Sequence, residues 1–130
     1  MQLYRDEFGV ITFDREAGIL TLIWSEQTTR MSDEGFKRVN LALANLAEEH
    51  QAQKLLVNVE KFRFTFSAEL NDWRAQTIIP KYHRAGVEKF AFAHGQGFDE
   101  PAGGQKNEGE NFVTRHFALD SSAKAWLIES

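Results

Sequence analysis

Apolar and polar positions along the chain alternate with two different periods. Gly9-Val10-Ile11-Thr12-Phe13-Asp14 and Ile19-Leu20-Thr21-Leu22-Ile23-Trp24 are rich in β-branched and aromatic residues, which suit a pleated, half-buried surface. Arg15-Glu16-Ala17-Gly18 separates them, and Gly18 can take a positive φ, so the pair predicts an antiparallel hairpin. Leu3-Tyr4 ahead of it either adds a strand or stays outside the sheet. After a polar connection from Ser25 to Met31 the period lengthens. Phe36, Val39, Leu43 and Leu46, joined by Ala47 and His50, recur at spacings of three and four, one stripe on a helix of roughly five turns. Ser32 is placed to cap it, with Asp33 and Glu34 putting negative charge on its first turn. Leu41 lies off the stripe and is expected at the surface.

Lys54-Leu55-Leu56-Val57-Asn58-Val59 is a short apolar run that reads as a strand buried on both faces. Beyond it Phe62, Phe64 and Phe66 alternate with Arg63 and Thr65, which either continues the strand or forms a loop that drops aromatic rings into the core. Ser67 then caps a helix through Gln76, with Leu70 and Trp73 facing inward. Pro80 lacks a donor and restricts Ile79, so it is expected to interrupt that helix and to open a short second one, Lys81 to Arg84, stopped by Gly86. Val87 to His94 predicts a further strand with Phe90 and Phe92 on one face and Ala91 and Ala93 on the other, the small face leaving room for a close-packed helix. Gly95 to Glu110 carries five glycines and no periodicity, the mark of a surface loop. Asn111 to Ala118 alternates as a last strand, and Asp120 is placed to cap a terminal helix over 121–128 docked through Trp126 and Leu127. The element order is β-β-α-β-α-(α)-β-β-α, without internal repeat or linker.

Composition narrows the class. The 130 residues, 42% of them hydrophobic, suffice for one α/β domain over 1–130 whose core needs no staple. With no cysteine, disulfides, thiolate metal sites and cysteine nucleophiles are out of reach. The net charge of −4 opposes nonspecific nucleic-acid binding, which needs a basic surface. No run is apolar and long enough for a membrane span and the charged start is unlike a signal peptide, so a cytoplasmic location is expected.

Several local sequences, in their order and spacing, resemble the SpoIIAA-like group of the STAS fold, also described as STAS/SEC14-like. They are the hairpin followed by the Ser32 helix; the central strand with its Ser67 helix start; Arg84-Ala85-Gly86-Val87-Glu88-Lys89-Phe90-Ala91; and Arg115-His116-Phe117 with Ala123-Lys124-Ala125-Trp126-Leu127. The resemblance covers nearly the whole chain. It implies a mixed β-sheet with helices packed mainly on one face, no catalytic machinery and no cofactor. In the anti-sigma-factor antagonists of that group a serine between the central strand and the next helix is phosphorylated to switch partner binding. Ser67, or second to it Thr65, stands in the similar place, although Phe66 precedes it where those proteins have an Asp-Ser pair. Relatives outside that pathway look like modules for small apolar or lipid-like ligands.

Candidate chemistry follows from these placements. Phe62, Phe64, Phe66, Trp73, Ile78 and Tyr82, with Ile79, would line an apolar groove if the 62–82 region stands partly off the sheet; simple completion of the core explains them as well. An exposed version would serve as a protein or homodimer contact. Ser67 is the phosphoacceptor candidate, its plain alternative being a helix cap. His50, His83, His94 and His116 show no metal-ligand spacing, though His94 and His116 approach each other if the last two strands are neighbours. No nucleophile elbow, phosphate loop or paired-carboxylate spacing occurs. The expectation is therefore a noncatalytic binding or regulatory module for a small apolar or lipid-like ligand, with a Ser67 switch as the alternative and an enzyme as a remote third.

Overall fold

The computed structural model describes residues 1–129. Among these residues one six-stranded mixed sheet runs in the order β1 (Gln2–Arg5), β2 (Gly9–Asp14), β3 (Ile19–Trp24), β4 (Lys54–Asn58), β5 (Lys89–Ala93) and β6 (Val113–Phe117). β1, β2 and β3 are antiparallel, and β3 through β6 are parallel. The hairpin forms as its pattern predicts, with Gly18 at φ 71° in the turn, and Leu3-Tyr4 does add a strand. α1 (Asp33–His50) crosses from β3 to β4, while α2 (Ala68–Trp73) and α3 (Ile79–Ala85) occupy the crossover from β4 to β5. α4 (Asp120–Leu127) closes the described chain.

Binary pattern explains the layers. α1 lays Phe36, Val39, Leu43 and Ala47 on the sheet, and Ile78, Tyr82 and Ala85 of the following helical segment join the same core. Leu55, Leu56 and Val57 are buried on both faces of β4, as a parallel strand covered on both sides requires. The opposite face belongs to α4, whose Ala123, Trp126 and Leu127 pack on Leu56, Ala91, Ala93 and Phe117. Two alanines on β5 let that helix approach closely. Lys89 fastens its end by donating from Nζ to the Trp126 and Glu129 carbonyls, both at 2.8 Å, a cation where the helix dipole is negative.

Three expectations need correction. Pro80 does open a short second helix, α3, ended by Gly86 at φ 84°, but the backbone between α2 and α3 stays helical instead of breaking. Arg74–Ile78 forms a π-helical turn between α2 and α3, with the Ile79 amide donating to the Arg74 carbonyl and Ile79 itself helical at φ −57°, ψ −42°. The wider turn accommodates a residue that offers no amide and crowds the carbonyl four places before it. Asp120 does not cap α4. Leu119 holds the cap position without a side-chain bond, and Asp120 Oδ1 instead accepts from Asn58 Nδ2 at 2.9 Å. Leu41 is half-buried against the main core. The glycine-rich segment after β5 is an exposed irregular loop tied to the sheet edge, since Gln105 and Thr114 exchange backbone hydrogen bonds at 2.8 Å each. Among the described residues no helix is long and apolar enough to cross a membrane.

Candidate functional site

A mainly apolar cavity of about 180 Å³ lies between the sheet, α1 and the α2–α3 segment. Strand register builds its floor. Leu22 pairs with Val57 and Val57 with Phe92, so three neighbouring strands present one row of side chains, with Phe90 alongside. Phe36, Asn40 and Leu43 form one wall because positions four and seven apart share a face of α1. Asn71, Arg74 and Tyr82 form the other.

Phe62 and Phe66 form the roof. The segment from Val59 to Ser67 is a loop, not a continued strand, and its rings pack around Phe36. Phe64 and Phe66 stack on that ring at 5.6 and 5.2 Å between centroids, and Phe62 meets Trp24 edge-on at 4.9 Å. Phe66 remains 42% exposed and Asn71 is exposed, so the cavity opens to solvent between them. Fully buried Thr28 holds the loop in place. It lies in a 3₁₀ turn, Glu26–Arg30, capped by Ser25. Its hydroxyl donates to the Ser25 carbonyl and accepts from the Arg63 amide, both at 2.8 Å.

The polar groups of the site are few. Asn40 donates from Nδ2 to the Phe36 carbonyl at 2.9 Å. Burial pushes the Tyr82 hydroxyl up to about 12, with Glu110 adding to the rise and the Arg74 guanidinium opposing it. The Arg74 guanidinium faces that hydroxyl, and its Cζ sits 5.9 Å over the Phe90 ring.

Of the residues expected to line a groove, Phe62, Phe66 and Tyr82 border this cavity. Phe64 packs on Phe36 behind the roof, Ile78 and Ile79 lie in the core, and Trp73 is half-buried with Lys37 Nζ 5.5 Å over its ring. Ser67 is exposed and caps α2, its Oγ accepting from the Leu70 amide at 3.2 Å. Sequence reasoning missed Trp24, Asn40, Arg74 and Phe92. Asn40 carried a signal, a polar residue inside the apolar stripe of α1. Arg74 carried none, because its direction follows from the π turn.

A second cluster adjoins the floor. His94 Nε2 and His116 Nδ1 stand 2.9 Å apart, since β5 and β6 are indeed neighbours. Phe98 stacks on His94 at 3.9 Å and Phe92 on His116 at 5.1 Å. Partial burial lowers both imidazoles from their ordinary value, and His116 lowers His94 further. His50 packs against Phe13, and His83 accepts from the Asn111 amide. Among the described residues no group of three or more His, Cys, Asp or Glu could hold a metal ion. Comparison with family models, curated proteins and solved structures finds no match for this chain.

Proposed function

We propose that the protein is a noncatalytic binding module of the SpoIIAA-like type that takes a small apolar ligand into the cavity beneath Phe62 and Phe66. A hairpin leading into helical crossovers on one sheet face, with a terminal helix on the other, supports that grouping. The cavity carries the functional reading. It is a mainly apolar hollow of about 180 Å³ that opens to solvent beside Phe66. An engineered apolar cavity of about 150 Å³ takes up benzene, so the space suits a ligand of one ring or a short chain. The exposed roof ring Phe66 stands at its mouth, where a ligand would enter.

One observation favours a second reading. Ser67 is exposed, directly follows Phe66 of the roof and begins α2, where a phosphoryl group would meet free amides. Phosphorylation there would couple a partner-binding switch to the cavity mouth. Mass spectrometry of protein purified from its own host, first native and then denaturing, separates the two. Extra mass lost on denaturation is the expected result. Extra mass retained and mapping to Ser67 would favour the switch, and bare mass in both conditions would count against either.

A further inference from the structure

The cavity carries one cation. Arg74 is half-buried in its wall, and among the described residues none of the ion pairs includes it. Glu110, the carboxylate that acts on the adjacent Tyr82 hydroxyl, is already engaged by the Asn107 amide at 3.0 Å and the Thr114 hydroxyl at 3.3 Å. A guanidinium thus borders an apolar hollow with the aromatic face of Phe90 below it and no carboxylate paired to it. Partial removal from water strengthens a charge-assisted hydrogen bond at such a place, and the planar fork of donors matches both oxygens of a carboxylate. Asn40 is the weaker partner for the same group. One of its two amide N–H groups is committed to the Phe36 carbonyl, so it can add at most one neutral hydrogen bond, weaker than a charge-assisted pair with Arg74.

We propose that the ligand is a small monocarboxylate whose anionic head pairs with Arg74 and whose apolar body lies under Phe62 and Phe66. The inference rests on the cavity being a ligand site and adds the chemical class. Size narrows it further. A hollow of about 180 Å³ accepts one ring or a chain of about six carbons by comparison with the benzene-sized cavity; a diacyl lipid is far too large.

The test uses the full chain and three probes with one six-carbon body, hexanoate, hexan-1-ol and hexylamine, with binding followed by calorimetry and by tryptophan fluorescence, to which Trp24 in the cavity wall contributes. Hexanoate is expected to bind roughly tenfold more tightly than hexan-1-ol, about 1.4 kcal/mol, with hexylamine weakest. In Arg74→Gln the advantage of hexanoate should vanish while hexan-1-ol keeps its affinity within about twofold. Equal binding of hexanoate and hexan-1-ol by the unaltered protein would overturn the carboxylate assignment and leave the cavity reading standing. No binding of any probe would overturn both. Because the probe series on the unaltered protein decides by itself, a misfolded variant would not rescue the proposal. A hexanoate preference that persists in a folded Arg74→Gln would remove Arg74 from the role.

Discussion

Replacing Thr28 by valine tests whether one buried hydroxyl holds the aromatic roof. Valine matches threonine in shape but not in polarity. It would strip the Arg63 amide of its acceptor and the Ser25 carbonyl of its 2.8 Å donor. A buried donor or acceptor left unmade costs about 1–3 kcal/mol. Here Arg63 is exposed, so water can recover part of its bond, and the Ser25 carbonyl keeps the Thr28 amide at 3.2 Å, so about 1–2 kcal/mol is expected in all. For a chain of 130 residues that corresponds to a fall in Tm of roughly 4–7 °C. Thr28→Ser keeps the hydroxyl and deletes only a methyl group, so it too destabilises, through packing. Amide hydrogen exchange distinguishes the two causes. The Arg63 amide should exchange faster in Thr28→Val and stay protected in Thr28→Ser, with urea unfolding giving the stability of each. Unchanged protection of Arg63 in a Thr28→Val protein of undiminished Tm would refute the idea that Thr28 clamps the loop.

The histidine pair makes stability depend on pH in a definite direction. Because both folded-state values lie below the ordinary 6.5, the unfolded chain takes up protons first as the pH falls. Stability from the pair is complete above 6.5 and is lost as the pH drops through the folded values. Urea midpoints measured from pH 8 down to about pH 5 should decline, and His116→Asn should flatten the decline; an equal slope in that variant would remove the pair as its cause. Leu55→Ala, at a fully buried position of β4, should cost about 2–5 kcal/mol by urea unfolding. A loss under 1 kcal/mol would show that the central strand is not the packed centre described above.

Much of the architecture was legible in the chain because period and punctuation are local. The stripe from Phe36 to Ala47 and the alternation of Phe90 and Phe92 with Ala91 and Ala93 each name a buried face without reference to any partner. The candidate site was legible only in part. Phe62, Phe66 and Tyr82 were visible as large apolar groups outside the regular strands, but nothing local separates a ring that roofs a cavity from one that fills the core, as Phe64 and Ile78 do. Pro80 shows the same limit from the backbone side. Its chemistry predicts an interruption, whereas packing of the segment on α1 and the sheet keeps the helix going through a π turn.

By itself the sequence determined the strands, the long amphipathic helix, the capping of α1 and α2 by Ser32 and Ser67, and the small-residue face that receives α4. Those features depend on side-chain size, branching and hydrogen-bonding groups within a few residues of one another. Only tertiary structure decided that Leu22, Val57 and Phe92 form one row, that Thr28 reaches Arg63, that His94 meets His116, and that Arg74 borders the cavity with no ion pair among the described residues. Each of these joins residues whose separation is set by strand register or by the pitch of a helical turn, and a shift of one residue in either would carry the side chain to another face.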